Sequence, residues 1–193
     1  MIEDRYESFA QLAAQEVEGT DYRISAFARR EDVLILAPHG GYIEPSTSAV
    51  ASAIAGEDLS LYLFEGLREE RRHRELHITS RNFDEPGALA LAAKADRIVS
   101  VHGRRNRDDP EAVWLGGLDL ENRDRIQAQL ERAGFEARNP GRLFSALDPR
   151  NICNRGRRDQ GVQMEMPRGL RDLLIRDLMR MAAFAEAIRS AIV

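Results

Sequence analysis

Short apolar segments alternate with amphipathic ones along most of the chain. The apolar runs at 33–37 and 98–101 are rich in β-branched and aliphatic residues, as is typical of strands covered on both faces. Strands are predicted at 22–28, 33–37, 59–64, 75–80, 97–101, 112–115, 135–138 and 161–166, and helices at 4–17, 45–55, 88–95, 120–133 and 170–192. This order predicts an α/β fold, a three-layer α/β/α arrangement with a mixed β-sheet.

Three of these predictions depend on local signals. Pro45 favours the first turn of the helix at 45–55, because its missing N–H would be unpaired there in any case. The residues Asp84-Glu85-Pro86 are a helix-start signal. Apolar residues recur at helical spacing from Leu170 to Ile188 without a break, which predicts one long C-terminal helix.

The composition excludes several classes of protein. A chain of 193 residues with 43% hydrophobic and 31% charged residues is most simply a single soluble domain, residues 1–193. The net charge of -4 gives no support for nucleic-acid binding. No run approaches the roughly 20 apolar residues of a membrane span. The acidic N-terminus does not resemble a signal peptide, so a cytoplasmic location is expected.

His39 and His102 occupy matching positions, each at the carboxyl end of an apolar strand and each followed by glycine. If the two strands are neighbours, the imidazoles converge at one edge of the sheet, where open α/β sheets bind ligands. Glu44 follows at a turn into a helix, whose dipole would favour the ionised carboxylate. Two imidazoles and one carboxylate leave a fourth tetrahedral position for water, the arrangement of a catalytic zinc, with one ion per chain. Taken singly, either histidine could instead cap a strand, and Glu44 could be a helix-start acid.

Glu165 is a carboxylate within an otherwise apolar strand, which is costly without a partner or a function. It is either exposed, or paired with a nearby arginine, or a general base that activates a metal-bound water. His77 is a third imidazole, a hydrogen-bonding neighbour of the ligands, or a half-buried strand histidine. Cys153 is the only cysteine, and its neighbours Asn151 and Asn154 would not lower a thiol pKa, so a nucleophilic role is disfavoured.

Several blocks of sequence, in order, resemble the bacteriophage-type poly-γ-glutamate hydrolase family, also labelled phage-related replication proteins. These blocks are APHGGYIEPSTSAVASAIAGEDLSLYLFEG, LHITSRNFDEP, ADRIVSVHG, NICNRG and GVQMEM. The family is similar in fold to zinc carboxypeptidases, in a reduced form. By position, the resemblance implies His39, Glu44 and His102 as zinc ligands and Glu165 as the general base.

The resulting hypothesis is a zinc-dependent hydrolase of γ-glutamyl amide bonds, with poly-γ-glutamate or another anionic γ-glutamyl peptide as substrate. Guanidinium groups suit substrate carboxylates, and four arginines are assigned this role: Arg81, Arg155, Arg157 and Arg158. One alternative is a zinc-dependent deacylase or peptidase of small N-acyl amino acids or cell-wall γ-glutamyl peptides. A DNA-associated replication accessory is another, although no basic stripe supports it. A phage-encoded enzyme could be released by lysis.

Overall fold

The computed structural model describes residues 4–70, 73–141 and 144–193. Its strands are β1 (Tyr22–Phe27), β2 (Arg30–Gly41), β3 (Leu59–Gly66), β4 (Arg97–Arg104), β5 (Val113–Gly116), β6 (Ala137–Arg138) and β7 (Val162–Pro167). Its helices are α1 (Phe9–Ala13), α2 (Thr47–Ala55), α3 (His73–Leu76), α4 (Pro86–Ala92), α5 (Leu120–Arg132), α6 (Arg168–Arg176) and α7 (Leu178–Ile192), with a 3-10 helix at Ile152–Asn154. No helix in these ranges is long and apolar enough to cross a membrane.

The strands form one sheet in the order β1-β3-β2-β4-β7-β5-β6. The central strands β3, β2, β4 and β7 are parallel, whereas β1 pairs antiparallel with β3 and β5 pairs antiparallel with β7. Apolar side chains of α2, α5, α6 and α7 cover one face of the sheet. Those of α1, α4 and the 3-10 helix cover the other. The three-layer arrangement with a mixed sheet is confirmed.

A β-bulge in β2 turns His39 toward the second of these faces. Along this strand Ile35 and Ala37 face the first apolar cluster, while Leu34 and Leu36 face the second. Strict alternation would therefore direct the side chain at 39 to the first face. Between Ala37 and Gly40 the pairing with β3 shifts by one residue, as in a bulge, next to a proline that has no N–H for the ladder. The imidazole of His39 lies instead near Phe83, on the second face.

The predicted strand at 75–80 is wrong. Residues 73–76 form the single turn α3, and the segment that follows lies outside the sheet. It does not pair with β3, the strand before it in the chain, which already has β1 and β2 as neighbours. The segment serves the site instead, since Ile78 and Thr79 provide backbone contacts there, as described below.

Three predicted helices also need correction. Helix α2 begins at Thr47 rather than Pro45, because Ser46 adopts a left-handed conformation with φ of 77°. The predicted C-terminal helix is two helices, α6 and α7. They are separated at Asp177, which leaves the helical conformation and caps α7 by accepting hydrogen bonds from the backbone N–H groups of Met179 and Arg180. The N-terminal helix is also shorter than predicted, spanning Phe9–Ala13.

Candidate metal centre

The structure brings His39, Glu44 and His102 together at the carboxyl edge of the parallel strands. Strands β2 and β4 are adjacent and parallel, which places both histidines at this edge. Their Nδ1 atoms are 3.1 Å apart. Oε1 of Glu44 lies 3.5 Å from Nδ1 of His39, and Oε2 lies 3.8 Å from Nδ1 of His102. All three side chains are buried.

The outer nitrogens of the two imidazoles are already engaged. Nε2 of His39 is 2.8 Å from the carbonyl oxygen of Ile78, which fixes Nε2 as the donor. Nε2 of His102 is 2.7 Å from the hydroxyl oxygen of Ser100. Such outer contacts orient metal-binding imidazoles and leave the inner Nδ1 lone pair for the ion. Two nitrogens bonded to one tetrahedral zinc at about 2.0–2.1 Å are about 3.3 Å apart, so the observed separation suits this ion.

His77 is a third imidazole beside the same position. Its ring centroid is 4.0 Å from that of His39. His39, Glu44 and His77 also offer ligand atoms that all lie within 4.8 Å of one another. Nδ1 of His77 is 2.6 Å from Oδ1 of Asp4, so a ligand role would use its Nε2. The two possible ligand sets share His39 and Glu44, and they differ in whether His102 or His77 completes them.

Electrostatics favour an ionised Glu44 for a different reason from the helix dipole. Its helix begins three residues later, and its Oε2 accepts a hydrogen bond of 2.7 Å from the backbone N–H of Gly103. Burial opposes ionisation, but His39 and then His102 lower the pKa of Glu44 well below its usual value. Burial and the charge of His39 lower the pKa of His102 to about 3. The pocket therefore combines an anionic Glu44 with a neutral His102, two of the three proposed ligands in the form that a metal requires.

Glu165 lies beside the histidines on the neighbouring strand. It is directly opposite His102 in the pairing of β4 and β7, and it is 5% exposed. Within the described ranges it makes no ion pair; its Oε1 accepts a hydrogen bond of 2.8 Å from Gln163, whose own carbonyl oxygen accepts one from Asn151. Burial, and then the negative charge of Glu44, raise the pKa of Glu165 well above its usual value. Such a carboxylate is suited to taking up a proton.

The arginines assigned to the substrate lie in two different places. Arg157 donates two hydrogen bonds of 3.0 Å to Asp96, just before β4 begins. That is the opposite end of the strand from His102, since Asp96 precedes His102 by six residues, or about 20 Å at about 3.3 Å per residue. Arg155 and Arg158 flank the same turn, since Gly156 packs against Ala95 and Ile98. Arg157 is therefore held away from the metal centre, and Arg155 and Arg158 stand on the turn beside it.

Arg81 remains on the side of the site. It is exposed and lies in the segment that contains His77 and Ile78. Its neighbour Ser80 accepts a backbone hydrogen bond from Ile152.

Cys153 is fully buried, and burial raises the pKa of its thiol. A nucleophilic role for Cys153 therefore has no support in the geometry.

Several supporting residues had no clear signal in the sequence. Ser100 and Gln163 each precede a functional side chain by two positions on the same strand, so alternation could have indicated them. Asp4 is 73 residues from His77 in the chain, and no local pattern connects the two. Asp4 also accepts a hydrogen bond of 2.7 Å from the backbone N–H of Thr79. Although burial opposes it, His77 lowers the pKa of Asp4 below its usual value.

Fold and site together define a metallohydrolase-like α/β protein, with a buried glutamate beside a histidine and carboxylate cluster. The chain belongs to the poly-gamma-glutamate hydrolase family, whose model matches residues 6–186. A bacteriophage poly-gamma-glutamate hydrolase has the same fold, with a TM-score of 0.91 and 32% identity over 97% of this chain and 96% of that one. The zinc-free apo form of YndL superposes with a TM-score of 0.88 and 33% identity, over 98% and 97% of the two chains.

Curated relatives come from Bacillus subtilis (strain 168). YndL is 36% identical over 89% of this chain, which spans 67% of YndL. YoqZ, derived from the SPbeta prophage, is 39% identical over 84% of this chain, which spans only 58% of YoqZ. The family assignment therefore covers nearly the whole of this chain, but less of these two relatives.

Proposed function

We propose that this chain is a zinc-dependent hydrolase that cleaves the γ-glutamyl amide bonds of poly-γ-glutamate. The observation that carries the proposal is the Nδ1–Nδ1 separation of 3.1 Å between His39 and His102, with the carboxylate of Glu44 beside both. The family match and the zinc-free form of the YndL relative support the choice of substrate and metal. Residues 1–193 would act as a single hydrolase domain.

His39, Glu44 and His102 would hold the zinc ion. Zinc supplies a Lewis acid there and lowers the pKa of a water ligand to about 7. We assign the ligand role to His102 rather than His77, because its Nδ1 lies 3.1 Å from Nδ1 of His39, a separation that suits two ligands of one zinc ion, and its outer nitrogen is held by Ser100. His77, oriented by Asp4, then borders the position where substrate binds.

Glu165 moves the proton in this scheme. Its carboxylate takes a proton from the attacking water and returns it to the nitrogen of the departing amine. Because Gln163 holds Oε1, the other carboxylate oxygen, Oε2, is the one assigned to this transfer. The raised pKa of Glu165 suits a group that must hold the proton between the two steps.

Arg81 is the arginine assigned to a substrate α-carboxylate. It is exposed, and it lies three residues beyond Ile78, whose carbonyl oxygen holds His39. A guanidinium fork can bond both oxygens of a carboxylate. Replacing Arg81 with Gln should raise the KM for poly-γ-glutamate more than it lowers kcat.

The test is cleavage of purified poly-γ-glutamate, followed by size-exclusion chromatography and by titration of new amino groups. We expect the polymer to shorten with the wild-type protein, chelation to stop cleavage, and added zinc to restore it. Short γ-glutamyl peptides and N-acyl amino acids provide the comparison. An undiminished rate in the presence of a strong chelator would refute the zinc-dependent mechanism.

A further inference from the structure

Arg171 is a buried cation that the catalytic scheme above does not use. It lies in α6, between Leu170 and Leu174, which pack into the apolar cluster on the opposite face of the sheet from His102. The residue is only 4% exposed. Burying a charge is costly unless the charge is paired or hydrogen-bonded. Within the described residues Arg171 has no ion-pair partner, and its hydrogen bonds go to backbone carbonyl oxygens.

Each of these carbonyl oxygens belongs to a residue that follows a residue of the site by one or two positions. Nη1 donates to Pro45, the residue after Glu44. Nε donates to Met166, the residue after Glu165, over 3.2 Å. Nη2 donates to Arg104, two residues after His102, over 3.3 Å. One side chain therefore joins the backbone of three segments that are distant in sequence.

The guanidinium of Arg171 packs against Gly103 of β4, where the absence of a side chain leaves room for it. A Cβ atom at position 103 would lie 2.6 Å from Cζ of Arg171, so any larger residue there would displace the guanidinium. The backbone N–H of the same glycine donates to Oε2 of Glu44. The guanidinium thus supports, from behind, the peptide that binds a predicted metal ligand.

We propose that Arg171 is a positioning residue, which fixes the spacing of Glu44, His102 and Glu165 by holding the backbone beside each of them. A planar guanidinium carries five N–H donors in a fixed fork and can reach three carbonyl oxygens at once. A lysine ammonium is a compact group on a flexible stem and does not reproduce that geometry. The inference rests on the proposed function, since the three residues it positions are the ligands and base assigned there.

The test compares Arg171→Lys and Arg171→Met with the wild type, by zinc affinity from chelator competition and by kcat and KM, well below the melting temperature. We expect both variants to raise the zinc Kd about 10- to 100-fold, as loss of an outer partner does, and to lower kcat more than they raise KM. Native Kd and kcat in Arg171→Met would overturn the proposal. Full rescue by lysine would also overturn it, because charge alone would then suffice.

Two controls on the same helix separate positioning from stability. Arg168→Met removes an exposed arginine that pairs with Asp172 and should change neither Kd nor kcat. Leu174→Ala removes buried volume and should lower the melting temperature while leaving the zinc Kd unchanged. If Leu174→Ala weakens zinc binding as much as Arg171→Met, the role of Arg171 is structural only.

Hydrogen exchange provides a further test that does not require bound zinc. It can be made with a substitution at Gly103 if the substitutions at Arg171 do not fold. Hydrogen exchange of the Gly103 amide in the metal-free protein reports directly on the contact with Glu44. Arg171→Lys, or Gly103→Ala read at the neighbouring amides, should speed exchange at least about tenfold relative to Arg168→Met. Unchanged protection overturns the positioning role. Failure of the wild type to bind zinc, with protection lost as expected, would overturn only the proposed function.

Discussion

Charged residues are arranged differently at the two ends of the central strands. At the amino end, Arg157 and Asp96 form an exposed, two-pronged ion pair that neutralises both groups. At the carboxyl end, Glu44 and Glu165 are buried together, and neither forms an ion pair with an arginine or lysine of the described residues. Surface pairs contribute little to stability, whereas buried unpaired carboxylates are costly. The proposed zinc ion would supply positive charge at the carboxyl end, where Glu44 lies 3.5 Å and 3.8 Å from histidines that must be neutral to bind a metal.

Replacing Glu165 with Gln tests the carboxyl end with the largest expected effect. Glutamine keeps the shape and accepts the hydrogen bond from Gln163, but it cannot take up a proton. We expect kcat to fall roughly 10³-fold, within the range for loss of a general base, while the bound zinc is retained. Asp96→Asn, the matched change at the amino end, should leave kcat unchanged. Full activity in Glu165→Gln would show that Glu165 is not the general base.

His102→Ala and His77→Ala together decide which imidazole completes the ligand set. Loss of a residue that only orients a ligand typically costs about 10- to 100-fold in metal affinity. We expect His102→Ala to weaken zinc binding by more than this, and His77→Ala to remain within it. Zinc affinities measured by competition with a chelator would reveal the order, and the reverse order would transfer the ligand role to His77.

In the metal-free protein, the burial of His102 should make the free energy of unfolding depend on pH. A histidine in the unfolded chain titrates near 6.5, whereas the pKa of buried His102 is lowered to about 3. Between these values the unfolded chain binds a proton that the folded state does not, so this contribution to stability is present above pH 6.5 and is lost as the pH falls. The loss is about 1.4 kcal/mol per pH unit for one group.

Glu165 contributes to the pH dependence of stability with the opposite sign. Its raised pKa makes the folded state hold a proton that the unfolded chain releases. The informative quantity is therefore the difference in unfolding free energy between wild type and His102→Gln, followed by urea denaturation from pH 7 to pH 5. We expect the advantage of the wild type to shrink as the pH falls. A difference that does not change with pH would show that His102 is protonated in the folded state.

The smallest effect is expected at the amino end. Arg157→Met breaks the pair with Asp96, whose side chains are 54% and 39% exposed. Such pairs are typically worth 0–1 kcal/mol, so the unfolding free energy should fall by no more than about 1 kcal/mol. The KM for poly-γ-glutamate should not change. A large increase in KM would return Arg157 to the substrate site and weaken the contrast between the two ends.

The sequence indicated which residues lie at the carboxyl end of the strands, but it did not indicate how their side chains are oriented there. His39, His102 and Glu165 stand at strand ends or within strands, so they share one edge of the sheet once β2, β4 and β7 pair as parallel neighbours. The bulge that aims His39 depends on the pairing of β2 with β3, a contact between distant segments. The strand predicted at 75–80 was wrong for a related reason, since alternation within a segment cannot show whether a strand elsewhere in the chain pairs with it.

Long-range hydrogen bonds account for most of what the sequence did not show. The contacts of Asp4 with His77 and of Arg171 with Pro45 join residues 73 and 126 positions apart. No local pattern encodes such pairs. The four arginines were grouped by composition, and only the fold separates Arg81 from Arg155, Arg157 and Arg158. Charge clusters in a sequence carry no information about which end of a strand they occupy.

The most direct test of the central claim is the zinc content of the purified protein, measured per chain by mass spectrometry after removal of loosely bound metal. The proposal requires close to one zinc per wild-type chain and almost none in His39→Ala, because His39 belongs to both possible ligand sets. Wild-type protein that holds no metal, or His39→Ala that retains a full equivalent, would contradict a metal centre at the carboxyl end of the strands.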